Sequence, residues 1–139
     1  MENNQHFGNN VAFVPTLYMK ELTPAVEFYK KAFNATVYRS FDHEGKMHVA
    51  EMAIGKAPFR LHEESAWANQ YGPGTLKGTS VVIGLFVADP HKVQAQAVAA
   101  GATELSPVTD WEYGYRQGVV RDPFGHNWMI EMDKPLNSQ

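Results

Sequence analysis

Arg60 and His62 alternate along one stretch of the 139-residue chain, and Met129 and Glu131 alternate near its far end. Side chains two apart on an extended strand leave the same face, so each pair aims polar groups into one space. Thr16, Tyr18 and Phe86 occupy the same kind of position. The ligand-binding candidates are therefore Thr16, Tyr18, Arg60, His62, Phe86, Met129 and Glu131. A guanidinium such as Arg60 can grip a carboxylate or phosphate through two parallel charge-assisted bonds, with Tyr18 or His62 completing the hold. Glu131, His62 and Tyr18 are the candidates for proton transfer. Against these stands a structural reading: Arg60 and Glu131 pair across a cavity floor, because buried charges are normally paired.

Other chemistry finds little support. The run from Gly78 to Val82 lacks the second glycine of a nucleophile elbow, and neither His43-Glu44 nor His62-Glu63 is followed by the second histidine of a zinc protease. The pattern does not assign faces to His48 and Glu51. His126, just after a turn glycine, reads as exposed, and Asp122 as a stabiliser of its own turn.

The elements that position these residues come from a chain of ordinary globular composition, 44% hydrophobic, 12% aromatic and 19% charged, and of a length expected to form one domain. Twelve Lys and Arg against fifteen Asp and Glu leave a net charge of -3 with no basic run, so nucleic acid is not an expected partner. Without cysteine there are no disulfides and no thiolate metal sites, and any metal must use His and carboxylate. No stretch approaches the roughly 18 apolar residues of a membrane span. The expectation is a cytoplasmic protein with no membrane partner.

The segment from Tyr18 to Thr36 lines up with that from Phe86 to Thr103 at an offset of 67 to 68 residues, so the chain reads as a duplication. In the first copy Thr23-Pro24 opens a helix whose apolar face is Val26, Tyr29 and Phe33, ending at Asn34. In the second, Asp89-Pro90 opens a helix that ends at Gly101. Short extended segments follow each helix, and Asp122-Pro123-Phe124-Gly125 reads as a type I turn. The architecture is α+β, βαβββ twice. The expected divisions are a flexible tail at 1–10, one domain at 11–132 (module one 11–63, connecting loop 64–78, module two 79–132) and a second tail at 133–139. The connecting loop reads as a mobile crossing strap, with Trp67 and Tyr71 as buried anchors.

Four stretches carry a resemblance to a known family: Phe13-Val14-Pro15-Thr16-Leu17-Tyr18-Met19, Glu27-Phe28-Tyr29-Lys30-Lys31-Ala32-Phe33, Ala99-Ala100-Gly101-Ala102-Thr103 and Arg121-Asp122-Pro123-Phe124-Gly125-His126. Together they resemble the vicinal oxygen chelate superfamily of glyoxalases, extradiol dioxygenases and bleomycin or fosfomycin resistance proteins, in its PhnB-like branch. The resemblance implies a glyoxalase-like fold, in which the two modules form a curled, partly open eight-stranded sheet around a cavity. It also implies a homodimer, with Trp111, Tyr113 and Tyr115 at an interface or pocket rim. The metalloenzymes of the superfamily place one His or Glu ligand on each of four strands, and by motif those positions fall here on Val14, Arg60, Val82 and Met129. Two alkyl groups, a thioether and a guanidinium offer no ligand set for a hard or borderline cation, and the fixed charge of Arg60 would repel one.

Strand alternation sorts the faces independently of that resemblance. Phe13, Leu17 and Met19, Phe59 and Leu61, Val81, Ile83, Leu85 and Val87, and Trp128, Ile130 and Met132 form an apolar side that should pack under the helices. The other side is mixed and should face the cavity. The leading expectation is a small amphipathic or aromatic ligand bound there without metal or other cofactor. One alternative is a glyoxalase-type lyase or isomerase holding a divalent metal through the shifted pair His62 and Glu131. Another is a metal-free acid–base enzyme.

Overall fold

A computed structural model describes residues 9–134; the outer parts of both expected tails, 1–8 and 135–139, lie outside the described residues. The elements are β1 (Thr16–Met19), α1 (Leu22–Phe33), β2 (Thr36–His43), β3 (Lys46–Ile54), β4 (Ala57–Glu63), α2 (Pro73–Leu76), β5 (Val82–Phe86), α3 (Pro90–Ala100), β6 (Thr103–Asp110), β7 (Tyr115–Arg121) and β8 (Asn127–Asp133). The strands form two four-stranded sheets of the same order, β1-β4-β3-β2 and β5-β8-β7-β6. In each, the first strand pairs in parallel with the fourth and the other neighbours are antiparallel. The sequence repeat is thus a repeat of topology, and the fold is the expected α+β tandem of βαβββ units.

Local chemistry sets the helix ends. Asp89 caps α3 by accepting the Lys92 N–H at 3.1 Å, with Pro90 in the first turn. Asn34 ends α1 in the left-handed conformation at φ 56°. The start of α1 differs from expectation. It begins at Leu22 with Glu21 in the capping position, so Thr23 lies inside the helix and caps nothing.

The apolar sides of both sheets meet α1 and α3 in one core. Tyr29 and Phe33 of α1 and Phe59 of β4 surround Trp128 of β8, with ring centroids 4.9 to 5.8 Å away. At its centre Asp122 accepts the Tyr29 hydroxyl, and the same oxygen takes the Trp128 indole N–H at 3.0 Å. The other carboxylate oxygen takes the backbone N–H groups of Phe124 and His126 at 2.9 and 3.0 Å. Asp122 does hold its turn as expected, and in addition it ties module two to α1 of module one. His126 is half-buried, not exposed. Its ring nitrogen bonds the Tyr18 carbonyl at 3.0 Å, a second link between the modules.

Three apolar residues depart from their expected places. Phe13 is 91% exposed, because pairing begins only at Thr16, and Val81 is likewise exposed one residue before β5. Trp67 is 93% exposed and anchors nothing, while Tyr71 is half-buried. The strap holding them bonds within itself and lies against β1. Glu64 accepts the Gly72 N–H at 2.8 Å and the Thr75 hydroxyl at 2.6 Å, and Gly72 lies against the Tyr18 carbonyl so closely that a Cβ there would collide with it.

Candidate functional site

With the apolar sides committed to the shared core, the mixed faces are turned outward. Alternation distributes the predicted residues between them as expected. Thr16, Tyr18, Arg60 and His62 lie on the outer face of the first sheet, where Thr16 is registered against Arg60 and Tyr18 against His62. Phe86, Met129 and Glu131 lie on the outer face of the second, with Phe86 registered against Glu131 and Gly84 against Met129. Within one chain the two groups are not joined.

Arg60 and Glu131 therefore do not pair, contrary to expectation. Arg60 is taken by Glu51, the residue opposite it on β3, at 3.1 Å, and its NH1 reaches the Thr16 hydroxyl at 3.4 Å. Arg39 of β2 holds the other oxygen of Glu51 at 2.6 Å. Burial acts to raise the Glu51 carboxyl, but the bonds and charges of the two arginines outweigh it and hold the group below the usual carboxylate range. Glu51 thus carries two guanidinium partners. The sequence pattern missed Arg39 and left Glu51 without a face, because only the β3–β4 register puts Glu51 opposite Arg60; that opposite-charge cross-strand pair was the available signal.

His62 and Tyr18 meet with centroids 5.2 Å apart, and His62 Nδ1 lies 2.6 Å from the Glu63 carbonyl. His48, from β3, packs 4.7 Å from His62 and binds Glu63 at 2.8 Å. His48 and Lys46, at 3.0 Å, together hold the Glu63 carboxyl below its ordinary range.

On the second sheet, Glu131 is 7% exposed and accepts one bond, from the Gln117 amide at 2.8 Å. The Gln117 carbonyl in turn accepts the Tyr113 hydroxyl at 2.9 Å. The second Glu131 oxygen lies over Gly84; a Cβ on that glycine would be 2.7 Å from it. Glycine is what makes room for the carboxylate. Along the same region the rings run from Phe86 to Tyr115, then Tyr113 and Trp111, with successive centroids 6.2, 5.9 and 5.9 Å apart.

The motif positions Val14, Arg60, Val82 and Met129 offer no chelating set, and Arg60 is bound to Glu51. The shifted pair His62 and Glu131 falls on separate sheets, each side chain already hydrogen-bonded within its own. Among the described residues no group of three or more His, Asp or Glu is arranged to hold a metal ion. The donor set of a single chain does not fit the superfamily's metal.

A cleft of about 980 Å³ opens elsewhere, between the strap and the 122–125 turn, walled by Met19, Pro73, Lys77, Arg121 and Phe124 among others. None of the predicted site residues lines it. Among the described residues no helix is long and apolar enough to cross a membrane.

Paired βαβββ units with a common helix-side core and mixed outer faces define the glyoxalase-like class of proteins. The chain belongs to the Glyoxalase/Bleomycin resistance protein/Dioxygenase superfamily, whose family model matches residues 7–130. It is 34% identical over 123 residues to Mb0911c, an uncharacterized protein of Mycobacterium bovis, covering 86% of this chain and 81% of that one. Among solved structures it is similar to TioX from Micromonospora sp. ML1, with TM-score 0.73 and 22% identity over 89% of this chain and 99% of the other. It is also similar to the product of an Arabidopsis thaliana gene, with TM-score 0.70 and 27% identity over 87% and 98%. The TioX likeness is one of fold.

Proposed function

We propose that the protein binds a small amphipathic or aromatic molecule on the outer faces of its sheets, without a metal, and that it does so as a homodimer. The observation that carries this is the makeup of those faces: exposed rings beside a few fixed polar groups, over motif positions that cannot chelate. Apolar area supplies affinity and fixed polar groups supply orientation. Phe41, Val82, Phe86 and Tyr113 are all exposed there, and a second copy closing over them would bury that surface and wall the site. The run from Arg121 to His126 supports placing the chain in the PhnB-like branch.

The test is a thermal-shift screen of the purified full chain against aromatic amphiphiles and, separately, nickel, zinc and manganese, with elemental analysis of protein prepared without chelator. A ligand present at about 100 times its Kd adds about 2.7 kcal/mol, or about 10 °C in Tm for a chain of this size. Shifts with organic molecules alone support the proposal. Stoichiometric metal with a metal-specific shift overturns it in favour of the lyase or isomerase reading, and turnover that is lost in Glu131→Gln or His62→Gln without metal favours the acid–base enzyme. Sedimentation of a monomer at micromolar concentration removes the dimer.

A further inference from the structure

We propose that the outer face of the second sheet takes a planar aromatic cation, with the Glu131 carboxylate as its counter-charge and the rings of Phe86, Tyr115, Tyr113 and Trp111 as its stacking surface. This rests on the binding function proposed above and names the chemical class of the ligand.

The two buried carboxylates of the outer faces are treated differently by the fold. Glu51 has two arginines on it. Glu131, nearly as buried, has only the neutral Gln117 amide on one oxygen, and among the described residues no Lys, Arg or His forms an ion pair with it. A carboxylate can accept about four hydrogen bonds, so the single bond from Gln117 leaves Glu131 with capacity for a donor from a ligand. The cations of the second sheet are committed elsewhere: Arg116 to Asp110 at 2.6 and 3.1 Å, Arg121 to Asn127 at 3.1 Å. The nearest further charge on this face is Asp133, registered against Tyr115 and again negative.

The surroundings of the carboxylate suit a flat partner. Phe86 and Tyr115 come from the strands on either side of β8 and meet at 6.2 Å. The Tyr113 hydroxyl is spent on Gln117, which orients the ring and turns the amide N–H toward Glu131. Trp111 and Tyr113 are stacked within 7° of parallel. Phe86 at 59% and Tyr113 at 64% exposure leave ring faces open beside a carboxylate whose second oxygen has no hydrogen-bond partner among the described residues. Aromatic faces attract cations and stack on planar rings, and the carboxylate adds a charge-assisted bond; an anion would meet repulsion from both.

Three probes of one ring system and different charge at neutral pH test this: 9-aminoacridine, a cation, acridine, neutral, and acridine-9-carboxylate, an anion, each titrated by fluorescence into the full-length protein. The expected order is cation over neutral by at least about tenfold, with the anion weakest, as one charge-assisted bond predicts. Glu131→Gln, close to isosteric, should erase the cation preference while leaving acridine affinity within about twofold, because stacking is retained. Gly84→Ala, whose new Cβ displaces the carboxylate, should also reduce the preference, with circular dichroism confirming the fold of both variants. If the three probes bind alike, or Glu131→Gln keeps the preference, the ligand-binding function stands and the cation site is overturned. If none binds, the cation site is overturned, and the wider binding function is decided by the thermal-shift screen. If Glu131→Gln weakens self-association instead, an arginine of a second copy is the counter-charge, which also overturns the cation site.

Discussion

The carboxylate of Asp122 joins the two modules, and its energy can be measured apart from any ligand. It receives the Tyr29 hydroxyl and the Trp128 indole N–H on one oxygen, and the N–H groups of Phe124 and His126 on the other. Burial foremost, and then the neighbouring Asp122, push the Tyr29 phenol well above its usual range, so it remains a donor at any ordinary pH. Tyr29→Phe removes one hydrogen bond to a charged acceptor and opens no cavity, and the same carboxylate oxygen keeps the Trp128 N–H. The cost should fall at the low end for such bonds, about 1.5 kcal/mol, or about 5 °C in Tm. Asp122→Asn keeps an acceptor for the two backbone donors but turns an amide N–H₂ toward the buried Tyr29 and Trp128 donors, and should cost about 3 kcal/mol. Each single substitution breaks the same bond, and in the double variant no hydroxyl is left facing the new amide, so the two costs should fall short of additivity by at least about 1 kcal/mol. Urea unfolding followed by circular dichroism, extrapolated to water, gives all four corners of the cycle. Costs that add to within about 0.5 kcal/mol would refute the reasoning, since the Tyr29–Asp122 bond would then contribute no specific coupling between the modules.

Gly72→Ala should destabilise the strap, because the new Cβ meets the backbone of Tyr18 and Met19 rather than a movable side chain; a loss of about 1–3 kcal/mol is expected from such overpacking, with proteolytic cleavage of native protein rising near residues 64–78. Glu51→Gln tests the arginine pair through pH. Because the folded state holds the Glu51 carboxyl below its ordinary value, its contribution is present above the unfolded-state pKa and disappears as the pH falls through the lower folded value. The wild type should thus exceed Glu51→Gln in Tm at neutral pH and converge on it under acid. A gap that stays constant on acidification would assign it to packing.

Much of the architecture was legible because its signals are local. Apolar side chains alternating on Leu17 and Met19, Phe59 and Leu61, and Trp128 and Ile130 can satisfy burial only on one face, and the Asp89-Pro90 cap and the Asn34 stop act within one turn of their helices. Pairing partners were not legible. Arg60 and Glu131 looked like partners because both project from a mixed face, yet Glu51 is directly opposite Arg60 in the β3–β4 register, and Gln117 directly opposite Glu131 in the β7–β8 register. A one-residue slip in either would have given other neighbours. Phe13, Trp67 and Val81 failed for a related reason: side-chain type favours burial, but burial needs a neighbouring surface, and among the described residues none covers them.

The sequence by itself determined the duplicated βαβββ plan and the sorting of each strand into an apolar and a mixed side, since each follows from residue type and spacing along the chain; that Val14, Arg60, Val82 and Met129 stand at the superfamily's metal positions is what the motif resemblance implies. Only the tertiary structure decided that two arginines hold Glu51 while Glu131 is bonded to the Gln117 amide and, among the described residues, to no cation, and that Asp122 joins one module to the other. Charge compensation depends on distances of a few ångströms between residues remote in sequence, such as Tyr29 and Asp122, and those distances are set only when the sheets and helices have packed.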